Sequence, residues 1–426
     1  MGLLKWIGRM LLDFTVITIA IMLFPGISPN AEFEVTRFSD SPPLEGVLER
    51  NERLSSMEPL LGDLATGPES TASRGGAVYT GVEGGAILRL TDDGGAETVA
   101  QLGRCDDPLD SPRCGRPLGI RFDQQGRLLV ADAYLGIHRV NVSSGAVERL
   151  VPTGVVVDGE PLRFCNDVLS ASDGTIYFTS SSAIADLHNG FMELAVRGTG
   201  RLFRHDPVTN TTTVLLSGIN FANGIALNGR ETALLVSETA RYRVLRVWLK
   251  GGRAGTSEVA ADNLPGFPDN IRPRPDGGFF VGLCGLRYQN PLAEGLIKPH
   301  PLLAKLLLRI LSVAMTPIRL LERAFPNPYT QTIIYKGVTM RTMQRLSSYG
   351  RALHAMGLEL SDTGAVTGSL HTSRMACISE VNEHDGALFL GSPFEDFLGR
   401  VPAAPRTIRV RTKHTDGSMS VSVGDQ

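Results

Sequence analysis

"FCNDVLSASDGTIYFTS", residues 164–180, opens on apolar side chains and carries the polar pair Asn166 and Asp167. It then turns at Asp173 and Gly174 and closes on β-branched and aromatic residues. That order predicts two short antiparallel strands joined by a tight turn. Five other segments follow the same plan: "GPESTASRGGAVYTG" (67–81), "PLGIRFDQQGRLLVAD" (117–132), "FANGIALNGRETALLVSE" (221–238), "PDNIRPRPDGGFFVG" (268–282) and "ISEVNEHDGALFLGS" (378–392). Further strands lie between them, as in "GIHRVNVSSGAVERLV" (136–151) and "GRLFRHDPVTNTTTVLL" (200–216), which brings each unit to about four strands. Six such units predict an all-β, six-bladed β-propeller over 67–400, closed radially so that few edges stay open.

Register between the units singles out one residue in each. Counting back from the last apolar residue of each second strand reaches Glu69, Leu118, Asn166, Asn223, Asp269 and Ile378. In a propeller the first strand of each blade lines the axis, so equivalent positions form a ring. Four of these residues carry oxygen donors, and Asn270 adjoins Asp269. Glu69, Asn166, Asn223, Asp269 and Asn270 are therefore candidate metal ligands. Hard oxygen donors that include two carboxylates suit Ca²⁺, with Mg²⁺ or Mn²⁺ as substitutes. The ring holds no Cys or His to favour zinc. The plainer alternative is a polar plug at the axis, satisfied by hydrogen bonds and trapped water.

The 426 residues suit one large all-β domain, and 42% hydrophobic against 20% charged residues is enough to build a core. A formal net charge of −2 gives no case for a nucleic-acid partner. The first thirty residues are different in kind. Lys5 and Arg9 precede an apolar run from Phe14 to Phe24, which must recruit Leu11 and Leu12 to approach the roughly 20 residues of a membrane span. An uncleaved signal anchor over 1–30 is expected, with the basic end cytosolic. An interfacial amphipathic helix and a cleaved signal peptide are the alternatives. Residues 31–66 then read as a stalk leading into the sheets.

Cys105 and Cys114 bracket a polar loop and predict a disulfide in an oxidising compartment. Cys165, Cys284 and Cys377 sit in apolar strands and read as small buried hydrophobes. Asn141 ("NVS") and Asn210 ("NTT") are glycosylation sequons compatible with export. Between the fifth and sixth units, about 285–350, "HPLLAKLLLRILSVAMTPIRLLERAF" predicts amphipathic helices interrupted near Pro317. This insertion reads either as a lid over the propeller mouth or as a face for membrane or apolar substrate. Residues 401–426 read as a flexible tail.

The motifs "CGRPLGIR", "LLVADAYLGIHRVN", "LPGFPDNIRP", "LELSDTGAV" and "ISEVNEHDGALFLGS" resemble the strictosidine synthase-like family of six-bladed propellers. The resemblance implies a type II single-pass membrane glycoprotein of the plasma membrane or endoplasmic reticulum. Its body would be lumenal or extracellular, with arylesterase-like hydrolase activity. Paraoxonases and senescence marker proteins share the propeller and hold a divalent cation through residues matching Glu69, Asn166, Asn223 and Asp269, with Asn270 added in paraoxonases.

The chain also departs from these relatives. The paraoxonase histidine pair is replaced by Leu118 and by a sequence without histidine around Ala133 and Tyr134. The acid of their second calcium site is Ser70 here, although Asp167 is kept. The catalytic glutamate of strictosidine synthase aligns with Ser379, with Glu380 one residue along, which argues against a Pictet–Spengler condensation.

No G-x-S-x-G elbow and no dinucleotide-binding glycine motif occurs. The expected chemistry is metal-assisted hydrolysis of small hydrophobic aryl esters or lactones, with Asp269 as metal ligand and candidate catalytic residue. His384 is expected to bond within its own turn. The alternative function is a non-catalytic cell-surface propeller whose structural cation supports binding of a protein or glycan.

Overall fold

The computed structural model describes residues 2–106, 110–291, 293–334, 342, 352–402, 408–413 and 419–424. The strand–turn–strand units become six four-stranded antiparallel sheets. Their inner strands are Thr71–Arg74, Pro117–Phe122, Cys165–Ser170, Ala222–Leu227, Gly266–Pro273 and Glu380–His384. Each inner strand touches the next in that order, and the last returns to the first, so the sheets close into a cycle. The inner turns use the residues that such turns require: Gly126 and Gly174 sit at φ +79° and +85°, which is strain-free only for glycine.

Closure comes from a distant segment. Glu58–Leu60 pairs with Leu398–Val401 and supplies the fourth strand of the sixth sheet. Residues 31–66 are accordingly more than a stalk, because Leu48, Leu54 and Met57 are buried in the core. Apolar side chains fill the spaces between neighbouring sheets. Between the second and third, Phe178 and Phe203 stack at 4.8 Å among Leu129, Ile137 and Val168. Burying each of these rings contributes about 1.5–3 kcal/mol.

Strand direction alternates within a sheet. The start of every inner strand therefore lies at the same end as the connection from second to third strand, and the hairpin turns lie at the opposite end.

Three expectations are corrected. The insertion lies within the fifth sheet, after its second strand (Phe279–Leu286) and before its third (Ala355–Leu360), and not between units five and six. It contains α3 (Pro301–Ala324) and α4 (Pro328–Thr332); most of the stretch after Ile334 lies outside the described residues. Pro317 stays inside α3 instead of ending it. Within 401–426, Ile408–Lys413 pairs with Met419–Gly424 as an antiparallel hairpin, and the rest after Pro402 lies outside the described residues.

Cys105 is bonded to Cys114, the last residue of the short helix α2 (Ser111–Cys114), as expected. Cys284 and Cys377, read as buried hydrophobes, instead form a second disulfide that ties the fifth sheet to the approach of the sixth. Cys165 is the buried free thiol. At the N-terminus, α1 (Gly2–Leu23) is one continuous helix. Among the described residues, α1 over Leu3–Leu23 and α3 over Pro301–Ala324 are long and apolar enough to cross a membrane.

Candidate metal centre

Four inner strands carry the same irregularity. Strand pairing slips between Pro117 and Ile120, Cys165 and Val168, Ala222 and Ile225, and Pro268 and Ile271. Each slip is a bulge that adds residues to one strand and re-aims their side chains. The bulged pairs are Leu118–Gly119, Asn166–Asp167, Asn223–Gly224 and Asp269–Asn270, so the residues singled out by counting are the first members of each bulge. The second members must be small where strands crowd. A Cβ on Gly119 would come within 2.2 Å of Asp167 Oδ1, and one on Gly224 within 2.4 Å of Asn270 Cα.

Glu69, Asn166, Asn223, Asp269 and Asn270 are all buried. Asn270 Nδ2 donates to Glu69 Oε1 at 2.7 Å, and the Asn223 side chain lies beside Asp269 and favours its charged form. Asn166 Nδ2 donates to Ser181 Oγ at 2.9 Å, and that hydroxyl donates to the carbonyl of Ala222, next to Asn223. Asn166, Asn223 and Asn270 each keep an Oδ1 that no protein donor satisfies, and Glu69 Oε2 is in the same condition.

Four buried acceptors without donors are costly in a protein interior. The donor set is oxygen-only and includes two carboxylates, which fits an oxygen-seeking divalent cation. Burial, reinforced by the charge of Asp269, pushes the Glu69 carboxyl well above its ordinary range. Burial likewise pushes Asp269 up to about 8, against the effect of the Asn223 side chain. A bound cation would reverse both tendencies by favouring the charged forms.

The remaining two ring positions are apolar and diverge. Leu118 packs with Ala133, Phe164, Phe221 and Ala240 in a cluster at the strand-start end, flanked by Tyr134 and Leu187. Ile378 turns into the core among Leu54, Met57 and Phe280. A histidine does reach Tyr134, although the local sequence has none: His188 arrives from the connection after Ile176–Ser180, with ring centroids 5.6 Å apart. Burial holds its imidazole below the ordinary range. Only the path of a loop from the third sheet brings it there, and no sequence spacing signals this.

Further along the axis sits an ion cluster that the sequence reading missed. Arg272, two residues after Asn270 and on the same strand face, pairs with Asp167 at 2.9 Å and with Glu380. Arg121 pairs with Asp167 at 3.2 Å and donates to the carbonyl of Ile271 at 2.8 Å. Burial opposes the charge on Asp167, yet the guanidinium groups of Arg272 and Arg121 hold its carboxyl below the ordinary value. Two arginines thus stand beside the acid that a second cation would need. Ser70 is equally committed, donating to the carbonyl of Leu118 at 2.6 Å.

Glu380 accepts from the backbone N–H and hydroxyl of Thr71 at 2.6 and 2.8 Å. His384 bonds the Thr71 hydroxyl at 3.1 Å, not its own turn, and burial lowers its pKa to about 4. Neither residue belongs to the oxygen ring.

The sequon residues Asn141 and Asn210 are exposed, each at a turn between third and fourth strands, at the end opposite the ring.

Comparison with known proteins agrees with this architecture. The strictosidine synthase family model matches residues 166–252, and the strictosidine synthase-like N-terminal model matches 46–90. Adipocyte plasma membrane-associated protein of Homo sapiens is 36% identical over 372 residues, covering 85% of this chain and 82% of that protein. The Drosophila melanogaster relative, adipocyte plasma membrane-associated protein Hemomucin, is 32% identical over 438 residues, covering all of this chain and 75% of that one. Among solved structures, a gluconolactonase from Xanthomonas campestris shares the fold at a TM-score of 0.52 and 17% identity, covering 88% of this chain and 98% of that one. On these matches the chain belongs to the strictosidine synthase-like family, together with the adipocyte plasma membrane-associated proteins.

Proposed function

We propose that the chain is a six-bladed β-propeller, held in a membrane by α1 with its body lumenal or extracellular. In this reading it binds Ca²⁺ at the axis and hydrolyses small hydrophobic aryl esters or lactones. The observation that carries it is the set of four buried side-chain oxygens without a protein donor, on Glu69, Asn166, Asn223 and Asn270, next to the Asp269 carboxylate.

These five residues would hold the cation. When bound, it supplies a Lewis acid that polarises the substrate carbonyl and stabilises the oxyanion. The chain's own residues divide the remaining work. Glu69 and Asp269 supply the charge, while Ser181 and Glu69 fix the amides of Asn166 and Asn270. The cluster of Leu118, Phe164 and Phe221 offers an apolar wall for an aryl or acyl group and excludes water. Asp269 is the candidate base: it takes a proton as water adds to the carbonyl carbon, and returns it to the alcohol oxygen when the ester C–O bond breaks. The lactone arm of the substrate class draws on the activity of the gluconolactonase whose fold is shared. Glycosylation at Asn141 and Asn210 belongs to the same proposal, since export would expose both sequons.

The test is hydrolysis of phenyl acetate and of simple lactones by the full chain in detergent, with EDTA and with added Ca²⁺, beside Asn223→Ala and Asp269→Ala. Activity that needs Ca²⁺ and vanishes in both variants, with circular dichroism unchanged, supports the enzyme. Ca²⁺ binding without hydrolysis would favour the non-catalytic propeller that binds a protein or glycan.

A further inference from the structure

α3 is built the wrong way round for a water-soluble surface. Its buried positions include Ala304, Arg309 and Met315, and its Leu311 and Met315 line a small cavity together with Phe191 and Met192 of the third sheet's long connection. At about 100° per residue, Leu302, Leu306, Ile310, Val313, Pro317 and Leu320 share the arc opposite Ala304 and Met315; that arc contains no charged residue, and Arg309 borders it. Leu302 is 70% exposed, Leu320 57%, Ile310 44% and Val313 42%, and Phe325 just beyond the helix is 71% exposed. An ordinary surface helix turns such a stripe inward. A continuous exposed apolar face of this length marks an interaction surface.

Arg309 indicates what covers it. This buried side chain donates through Nη1 to the carbonyls of Ile21, Met22 and Phe24 at 3.0, 2.9 and 3.1 Å, and through Nη2 to Asn30 Oδ1 at 2.9 Å. It thereby satisfies carbonyls at the C-terminal end of α1 that have no partner within the helix, and places a cation at the negative pole of the helix dipole. The 22 residues of α1 extend ~33 Å, close to the ~30 Å hydrocarbon thickness of a bilayer. The end that Arg309 holds is therefore where a spanning α1 would leave the lipid. Lys305 and Arg323 lie just beyond Arg309 on that side of the apolar arc, where basic side chains can reach anionic headgroups. The insertion also leaves the fifth sheet at the end where the inner strands begin, and both sequon turns are at the other.

We infer that the exposed apolar face of α3 is a membrane-docking surface, lying in the interface of the same bilayer that α1 enters. The end of the sheets where the inner strands begin, which carries the ring residues, then faces that bilayer. This inference rests on the anchoring role proposed for α1.

The test uses the full chain in vesicles of phosphatidylcholine and phosphatidylserine, with an environment-sensitive fluorophore on one introduced cysteine at a time. The positions are Val313→Cys on α3, Ile17→Cys on α1 and Val208→Cys, which replaces a 92% exposed residue at a hairpin turn of the third sheet. Brominated acyl chains are expected to remove most of the emission at 313 and 17 and to leave 208 unchanged. Quenching at 17 without quenching at 313 overturns the docking surface and leaves the anchor standing. A label at 313 that is shielded from water but insensitive to brominated lipid means a second copy or a protein partner covers α3, and overturns the inference too. Loss of quenching at both 17 and 313 removes the anchor and the docking surface together.

Discussion

Asn270 of the fifth sheet donates its side-chain amide to Glu69 Oε1 of the first at 2.7 Å, joining residues 201 positions apart in the chain. The bond orients both residues with an oxygen to spare. It also means that the candidate ligand set is built across sheets, so its integrity should report on ring closure.

A cation that binds the folded state alone stabilises it by mass action, by about 2.7 kcal/mol at a concentration one hundred times Kd. Thermal unfolding of the wild type is expected to shift upward with added Ca²⁺ and downward with EDTA, and Asp269→Asn to lose that response. Ser181→Ala, which removes the partner of the Asn166 amide and the donor to the Ala222 carbonyl, is expected to weaken Ca²⁺ affinity about 10–100-fold, as loss of an outer partner does. Calorimetric titration checks both; identical affinities in all three proteins would place the ion elsewhere.

Arg272→Met leaves Glu380 without its arginine and Asp167 with Arg121 alone. Removing one partner from a buried ion pair costs about 3–5 kcal/mol because the other charge stays buried. Urea unfolding should show a loss of that size. A loss within the 0–1 kcal/mol or so typical of exposed pairs would mean that the axial arginine does not hold the sheets together.

Acid should release a hydrogen-bonded chain at the edge of the fifth sheet. Tyr288 Oη meets His354 Nδ1 at 2.6 Å, His354 Nε2 meets His371 Nδ1 at 2.8 Å, and His371 Nε2 meets Ser369 Oγ at 2.9 Å. The Ser369 hydroxyl then donates to the carbonyl of Val47 at 2.8 Å. Two neutral imidazoles complete this chain with every donor facing an acceptor. Burial first, then the charge of Arg50, lowers both histidines from 6.5 to about 4. With the folded pKa below the unfolded one, the folded state binds fewer protons, so this contribution is full above pH 6.5 and is lost as pH falls towards 4. Stability measured in urea at several pH values should decline less steeply across that window in His371→Gln than in the wild type. Parallel curves would remove the histidine pair as the cause.

The two disulfides should differ in weight. They close spans of 93 residues for Cys284–Cys377 and 9 for Cys105–Cys114. Loop-closure entropy assigns about 4.6 and about 2.6 kcal/mol respectively. Double serine variants of each pair, compared by denaturant unfolding, are expected to rank in that order; the reverse order would contradict the entropic account.

Much of the architecture was legible because it is local and repeated. A turn glycine every 50 residues or so, with alternating apolar strands around it, needs no distant partner to be recognised, and equivalent positions could be counted without knowing their surroundings. That count reached Asn166, Asn223 and Asp269 because all three occupy the first position of the same bulge. It was less informative at Ile378, which faces the core between sheets. Cys284 and Cys377 illustrate the opposite limit: each sits in an apolar strand, and nothing near either residue announces the other.

By itself, then, the sequence determined the strand–turn–strand units, their number, the apolar N-terminal helix and the oxygen-bearing residues at equivalent positions, all of which follow from short-range periodicity. Only the tertiary structure decided that Glu58–Leu60 closes the sixth sheet, that Arg272 and Arg121 occupy the axis beside Asp167, that His188 reaches Tyr134, and that Arg309 fastens α3 to the end of α1. Each of these joins segments far apart in the chain. Their partners are chosen by burial and by the demand of buried charges and carbonyls for satisfaction, which no local pattern encodes.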